Sequence, residues 1–401
     1  MDESLRFGRV EKRGETGFKV KDLGNLSRVD SISPPSVFIG SRLRYPHVNV
    51  GVLSPLERDE QAWKYDAEKY WAENNYDIKS VLNYRNSLLN SRFKAKATDA
   101  RMNRKFLDIA KEVAIASNPV DMEVELNQRV RRDMTKDKVV NPIGLGASLK
   151  NIQLQSNVKV NRSVDKVLND DIKASEGMSI LYKKNLDEYA LNKILSVGVM
   201  GSKKDRKLVP TRWSITATDD MIGKQILNRV RDYKEIEDFQ LFFGEFMGNQ
   251  YLVMMFPDVW SYELFELYLS NSNMQGSGEI NASTDHEYFH GRSRYAFNTS
   301  GGYYAARLPI LKYLDSIKRQ ASVVAIRIET PSYWAALGVW VVRESVKKAF
   351  ENGKKFESKE ELLNSAVQIG KAKFNFDCSS ILKRSKVLNN VKKQKRLAEW
   401  F

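Results

Sequence analysis

Two runs rich in apolar and aromatic residues, 239–246 and 251–256, stand on either side of Gly248-Asn249, and no other stretch of the chain restricts its fold as tightly. Gly and Asn tolerate the backbone of a tight turn, so the two runs predict a β-hairpin. Residues 260–269 follow in the same style and are expected to add a third strand to that meander. Residues 270–285 are rich in Asn, Ser and Gly and are expected to form an exposed loop. Beyond them the pattern predicts a helix over 302–317, a buried strand over 321–328, and helices over 335–350 and 359–371.

Upstream, residues 33–40 read as a turn entering a strand, and 49–52 as a second short strand. From about 56 to 138 the pattern is helical, with Trp63, Tyr70, Trp71, Val81 and Leu82 recurring near helical spacing. Residues 209–218 are β-branched and aromatic and predict a strand. Period two would place Arg212, Ser214 and Thr216 on one face and Trp213 and Ile215 on the other. Asp219 and Asp220 would then start a helix, since carboxylates suit the positive end of a helix dipole.

The expected fold class is therefore α+β: a helical amino-terminal region and a mixed, largely antiparallel β-sheet region with flanking helices. The divisions expected are 1–57 as a β and loop element, 58–144 as a helical region, 145–378 as an α+β core, and 379–401 as a flexible basic tail. Residues 379–393 include Lys383, Arg384, Lys386, Lys392 and Lys393 and no acid, the composition of a solvated tether.

With 401 residues, 42% of them hydrophobic, the chain is long enough for two or three domains with filled cores. Cys378 is its single cysteine, which excludes an internal disulfide and a zinc site built on several thiolates. No run of eighteen apolar residues occurs and the start lacks the basic-then-apolar order of a signal peptide, so a cytoplasmic protein with no membrane partner is expected. A formal charge of +15 points to an anionic partner, nucleic acid first, because each cation that neutralises a phosphate releases condensed counterions.

In the terminal octet 394–401, Gln394, Leu397, Trp400 and Phe401 fall at relative positions 1, 4, 7 and 8. One helical turn brings the last three together as an apolar plug, and Gln394 supplies an amide that both donates and accepts hydrogen bonds. The combination arises by chance at about one position in ten thousand. It resembles the PIP box, the peptide by which repair and replication proteins bind the sliding clamp PCNA.

Several segments together resemble the archaeal Nre family of DNA repair proteins: 34–40 with 45–51, the run 209–220, the stretch 301–307, and the terminal octet. The resemblance covers most of the chain and implies a role in DNA repair with PCNA as partner. Some members carry an amino-terminal cysteine cluster that looks like a zinc module; this chain has no cysteine there, so no zinc or other metal site is carried over.

Residues 290–307 are the densest polar and aromatic cluster. Arg292, Arg294 and Arg307 suit phosphates, Tyr295, Tyr303 and Tyr304 suit unpaired bases, and Gly301 and Gly302 would let a backbone approach a ligand closely. The same stretch is similar to the nicotinamide-pocket loop of ADP-ribosyltransferases, which implies NAD as a cofactor, His290 and Glu329 as site residues, and modification of DNA or protein. His290 lies closer to Gly301 in sequence than that arrangement has. Arg212, on its predicted strand, is a further catalytic candidate as an anion-binding group. A metal-dependent nuclease is another alternative, drawing on Asp219, Asp220, Glu245 and Asp258 near predicted strand ends.

Overall fold

Alternating exposure along a few strands sets the two sheets on which the chain is layered. The computed structural model describes residues 26–41, 43–127, 131–132, 139–269 and 281–393; the terminal octet 394–401 lies outside them. The first sheet comprises β1 (Arg28–Ser33), β2 (Val37–Gly40), β3 (His47–Pro55), β4 (Leu88–Lys96), β5 (Val120–Leu126), the two-residue β6 (Arg131–Arg132) and β7 (Leu145–Leu154). Its order is β1-β5-β7-β4-β3-β2 with β6 beside β7. Only β4 and β7 run parallel among these pairs. In β5, Val120, Met122, Val124 and Leu126 turn inward and the three acids between them are half-buried. Two of these acids pair with Arg28 and Lys150.

Three helices, α1 (Glu68–Glu73), α2 (Ile78–Asn86) and α3 (Lys105–Ile115), interleave with those strands. The region expected to be helical thus also carries β4 and β5. In β4 the first four residues are all buried, Asn90 and Ser91 included, which removes the alternation that marks a strand. Next come α4 (Arg162–Asn169), α5 (Ala174–Lys183), α6 (Glu188–Ser196) and the twenty-residue α7 (Thr211–Val230).

Residues 211–218 are therefore helical, not a strand, and Asp219 and Asp220 lie in mid-helix. Ser214, Thr216 and Thr218 are buried. The Ser214 hydroxyl donates to Asn192 and that of Thr216 to the Arg212 carbonyl, which satisfies side chains that otherwise disfavour helix. The Thr211 hydroxyl accepts from the Ile39 amide of β2 at 2.9 Å, fixing the start of α7 to the first sheet. Tertiary packing overrides the β-propensity of this run.

The second sheet contains β8 (Phe239–Phe246), β9 (Asn249–Phe256), β10 (Ser261–Tyr268), β11 (Ser283–Glu287), β12 (Ser322–Glu329) and β13 (Gly353–Phe356), in the order β11-β10-β12-β9-β8-β13. The hairpin forms as expected, with Met247 and Gly248 at positive φ in its turn. The meander does not: β12 inserts between β9 and β10, antiparallel to the first and parallel to the second. A strand apolar on both faces belongs at the centre of a covered sheet. Val323 and Ala325 join the main core, whereas Val324, Ile326 and Ile328 join a second core on the opposite face.

Packed in the main core are α7, α8 (Ser300–Ile317) and α9 (Trp340–Phe350); in the second lie α10 (Lys359–Phe374), α11 (Ser379–Arg384) and α12 (Lys386–Lys393). Residues 379–391 are therefore docked helices rather than a solvated tether. Ile381, Leu382, Val387 and Leu388 are buried, and the wholly buried Glu263 accepts from the Ser385 hydroxyl at 2.6 Å and the Val387 amide at 3.0 Å. The basic side chains hid a four-residue apolar stripe. Part of the expected 270–285 loop is the edge strand β11; 270–280 lie outside the described residues. Among the described residues no helix is long and apolar enough to cross a membrane.

Candidate functional site

Arg307 on α8 points at α7, where the absence of a side chain on Gly223 makes room for it: a Cβ there would sit 2.8 Å from the Arg307 Nη1. Glu287, at the end of β11, holds the guanidinium in place. It accepts from Arg307 Nε at 2.9 Å and Nη2 at 2.8 Å, from Trp260 Nε1 at 2.9 Å and from the Tyr303 hydroxyl at 3.1 Å. Burial alone would lower the Arg307 pKa, but Glu287 outweighs it and raises it. The third nitrogen, Nη1, is buried with no hydrogen-bond acceptor; the nearest carboxylate, Asp220, is 4.0 Å away and bound by Lys224 at 2.6 Å.

Above this pair opens a cleft of about 470 Å³, walled by α7, the start of α8 and the segment that follows β11. From α7 and its C-cap residue Arg231 come Asp220, Lys224, Leu227, Asn228 and the Arg231 guanidinium; residues 290–295 form the opposite lip. Gly291, at φ +77°, passes so close to Arg231 that a Cβ would sit 3.3 Å from its guanidinium. Arg231 lies over the Phe289 ring at 5.5 Å, its Nε buried without an acceptor, and burial lowers its pKa. Arg292 pairs with Asp285 at 3.1 Å and donates to the His286 carbonyl, while Arg294 is exposed. The Tyr295 and Tyr304 rings lie 4.7 Å apart. Burial raises both phenols, Tyr304 to about 12, so each is a neutral donor at pH 7.

Five cationic side chains, Lys224, Arg231, Arg292, Arg294 and Arg307, thus face two carboxylates, Asp220 and Glu287. The imbalance of five cations over two carboxylates suits an acceptor-rich anion such as phosphate. A second cleft of about 490 Å³ between α5, α6, α7 and α8 is less suited: its Lys312 is held by Glu188 at 2.8 Å and its Arg229 by Asp315 at 2.6 Å.

Of the residues singled out in the sequence, His290, Arg292, Arg294, Tyr295, Tyr304 and Arg307 meet in this cleft. Gly301, Gly302 and Tyr303 do not open onto it. Gly302 admits the Glu266 carboxylate, where a Cβ would clash, and Gly301 packs against Val139 and Val339. Tyr303 is fully buried, so its ring is closed to a base. Glu329 ends β12, bound by Arg327 at 3.1 Å, and neither it nor the exposed Arg212 lines the cleft. The four carboxylates of the nuclease alternative do not gather. Asp219 is wholly buried against Arg343, in two bonds of 3.1 and 2.9 Å, Glu245 accepts from Gln250 beside the hairpin, and Asp258 follows β9. Among the described residues no three His, Cys, Asp or Glu are placed to hold a metal.

Sequence reasoning passed over Lys224 and Arg231. Once α7 is taken back to Thr211, Asp220, Lys224 and Arg231 share one face at helical spacing, which is the signal that finds them.

The model of the archaeal Nre amino-terminal region matches residues 10–274, and that of the Nre carboxyl-terminal region matches 287–400. The gap between them, 275–286, follows β10 and takes in most of β11, its partner in the second sheet. Over 348 residues the chain is 38% identical to DNA repair protein NreA of Archaeoglobus fulgidus, covering 86% of each chain. Over 323 residues it is 38% identical to DNA repair protein NreA of Haloferax volcanii, covering 79% of this chain and 77% of that one. DNA repair protein NreB of Archaeoglobus fulgidus is 34% identical over 320 residues, covering 79% of each. No solved structure is a significant match.

Proposed function

Because this chain belongs to the archaeal Nre family, we propose that it acts in DNA repair, docking on the sliding clamp PCNA through residues 394–401 and holding DNA phosphate in the cleft between α7 and α8. The repair role is supported by relatives named as DNA repair proteins over more than three quarters of the chain. The DNA contact is carried by one observation: five cationic side chains face two carboxylates in one cleft, and two of them, Arg231 and Arg294, form no ion pair among the described residues. Phosphate oxygens suit the exposed guanidinium edges, and the surplus of positive charge supplies the long-range attraction.

The clamp contact rests on the spacing of Gln394, Leu397, Trp400 and Phe401. Burying those three apolar side chains, less the entropy of ordering the peptide, gives a binding constant on the order of micromolar. α12 carries the chain to Lys393, directly before the octet.

Calorimetric titration of an archaeal PCNA with the full chain, and with a variant carrying L397A, W400A and F401A, tests this part. The full chain is expected to bind and the variant to lose binding with an unchanged melting temperature. Equal clamp binding by both would refute it.

A further inference from the structure

Trp213 on the first turn of α7 and Tyr45 in the turn before β3 are 48% and 45% exposed, with ring centroids 5.3 Å apart. Both rings keep about half their surface in water, although the chain has ample core to hide them in. The setting is cationic: Arg44, Lys96 and Arg212 are exposed beside them in sequence or strand register.

The platform is continuous with the cleft. Trp213, Asp220, Lys224 and Arg231 are spaced by 7, 4 and 7 residues, which at 100° per residue puts all four on one line of α7. The rise from Trp213 to Asp220 is about 10 Å. Between them stands Tyr295, 53% exposed, whose phenol meets the Thr216 hydroxyl and whose ring meets Tyr304 at the cleft mouth. Along one helix face the surface therefore offers two aromatic stations, then a cluster of guanidinium groups.

We propose that Tyr45 and Trp213 form a stacking platform for an unpaired base, so that the strand held along α7 and into the cleft is single-stranded DNA. Alternating aromatic faces and cations fit a polymer whose bases expose π-faces and whose linkages are anionic. A duplex buries those faces in its own stack and has no use for the platform. A protein partner would meet a rim of Arg and Lys rather than a broad apolar patch. This inference rests on the cleft reading above and adds to it the state of the strand.

The test is fluorescence anisotropy with a labelled oligonucleotide of about 12 nucleotides, single-stranded and as a duplex. W213A is expected to weaken single-strand binding roughly tenfold, as loss of one base stack does, and W213F to retain most of it. Duplex binding by W213A should change less than about twofold, and its salt dependence should stay that of the wild type because no phosphate contact is removed. A W213A variant that binds the single strand as tightly as wild type, while wild-type binding is salt-sensitive, overturns the platform and leaves the cleft reading standing. A wild-type protein that binds neither oligonucleotide at low salt overturns both.

Discussion

Removing Arg294 should change how DNA binding responds to salt, by an amount the cleft itself sets. Of its five cations, Lys224, Arg292 and Arg307 are already paired with Asp220, Asp285 and Glu287, whereas Arg231 and Arg294 form no ion pair among the described residues. About two phosphates are then neutralised by groups that give up no internal partner. For a single strand each contributes about −0.7 to the slope of log affinity against log salt, so the wild type should show about −1.4. A fourfold rise in salt would weaken it about sevenfold. R294A should keep only the Arg231 share, a slope of about −0.7 and a loss of two- to threefold over the same range. Arg294 is exposed, so melting should move by less than about 0.5 kcal/mol. Anisotropy titrations at four salt concentrations read the slopes. An R294A slope equal to that of wild type, or a wild-type slope near zero, would refute the assignment of phosphate to this cleft.

R343A should destabilise the protein by about 3–5 kcal/mol in urea unfolding, because it strands the wholly buried Asp219 carboxylate; the charge-free pair D219N/R343M should recover much of that loss, and a loss below about 1 kcal/mol would contradict it. Glu188 gives a pH signature. Burial would raise its carboxyl, yet Lys312, Arg343 and Lys347 together hold it at about 2, below the ordinary 4.5. Its contribution is therefore present above pH 4.5 and is lost as pH falls from there toward 2, by up to about 3 kcal/mol. Denaturation at pH 6, 4 and 3 should show an acid loss that E188Q lacks, and identical pH profiles would contradict it.

Much of the second sheet was legible because its signals are local. Gly248 marks the turn, which falls one residue earlier than expected at Met247-Gly248, and the apolar runs on either side pair with each other. The helices at 300–317 and 359–374 likewise carry their own periodicity. The failures share one cause. The 211–218 run is β-prone residue by residue, but it is helical because the hydroxyls of Ser214 and Thr216 find partners on α6 and within the helix. Residues 379–393 look solvated by charge, yet four apolar side chains and the bonds that Ser385 and Val387 donate to Glu263 dock them. At the site, the density of Arg and Tyr over 290–307 was visible in sequence. Which of those residues face outward was not, because a Gly-Tyr pair at a buried helix start and one at a ligand loop are written in the same letters.

By itself the sequence determined the hairpin, the basic character, the terminal octet and the family, since each depends on residues adjacent in the chain or on their summed charge. Tertiary structure alone decided that β12 parts β9 from β10, that α7 lays Trp213, Lys224 and Arg231 on one line, and that Arg307 faces Gly223 across two helices. The first and last of those relations join residues dozens of positions apart, and the second depends on the 211–218 run being helical, which its partners on β2 and α6 decide.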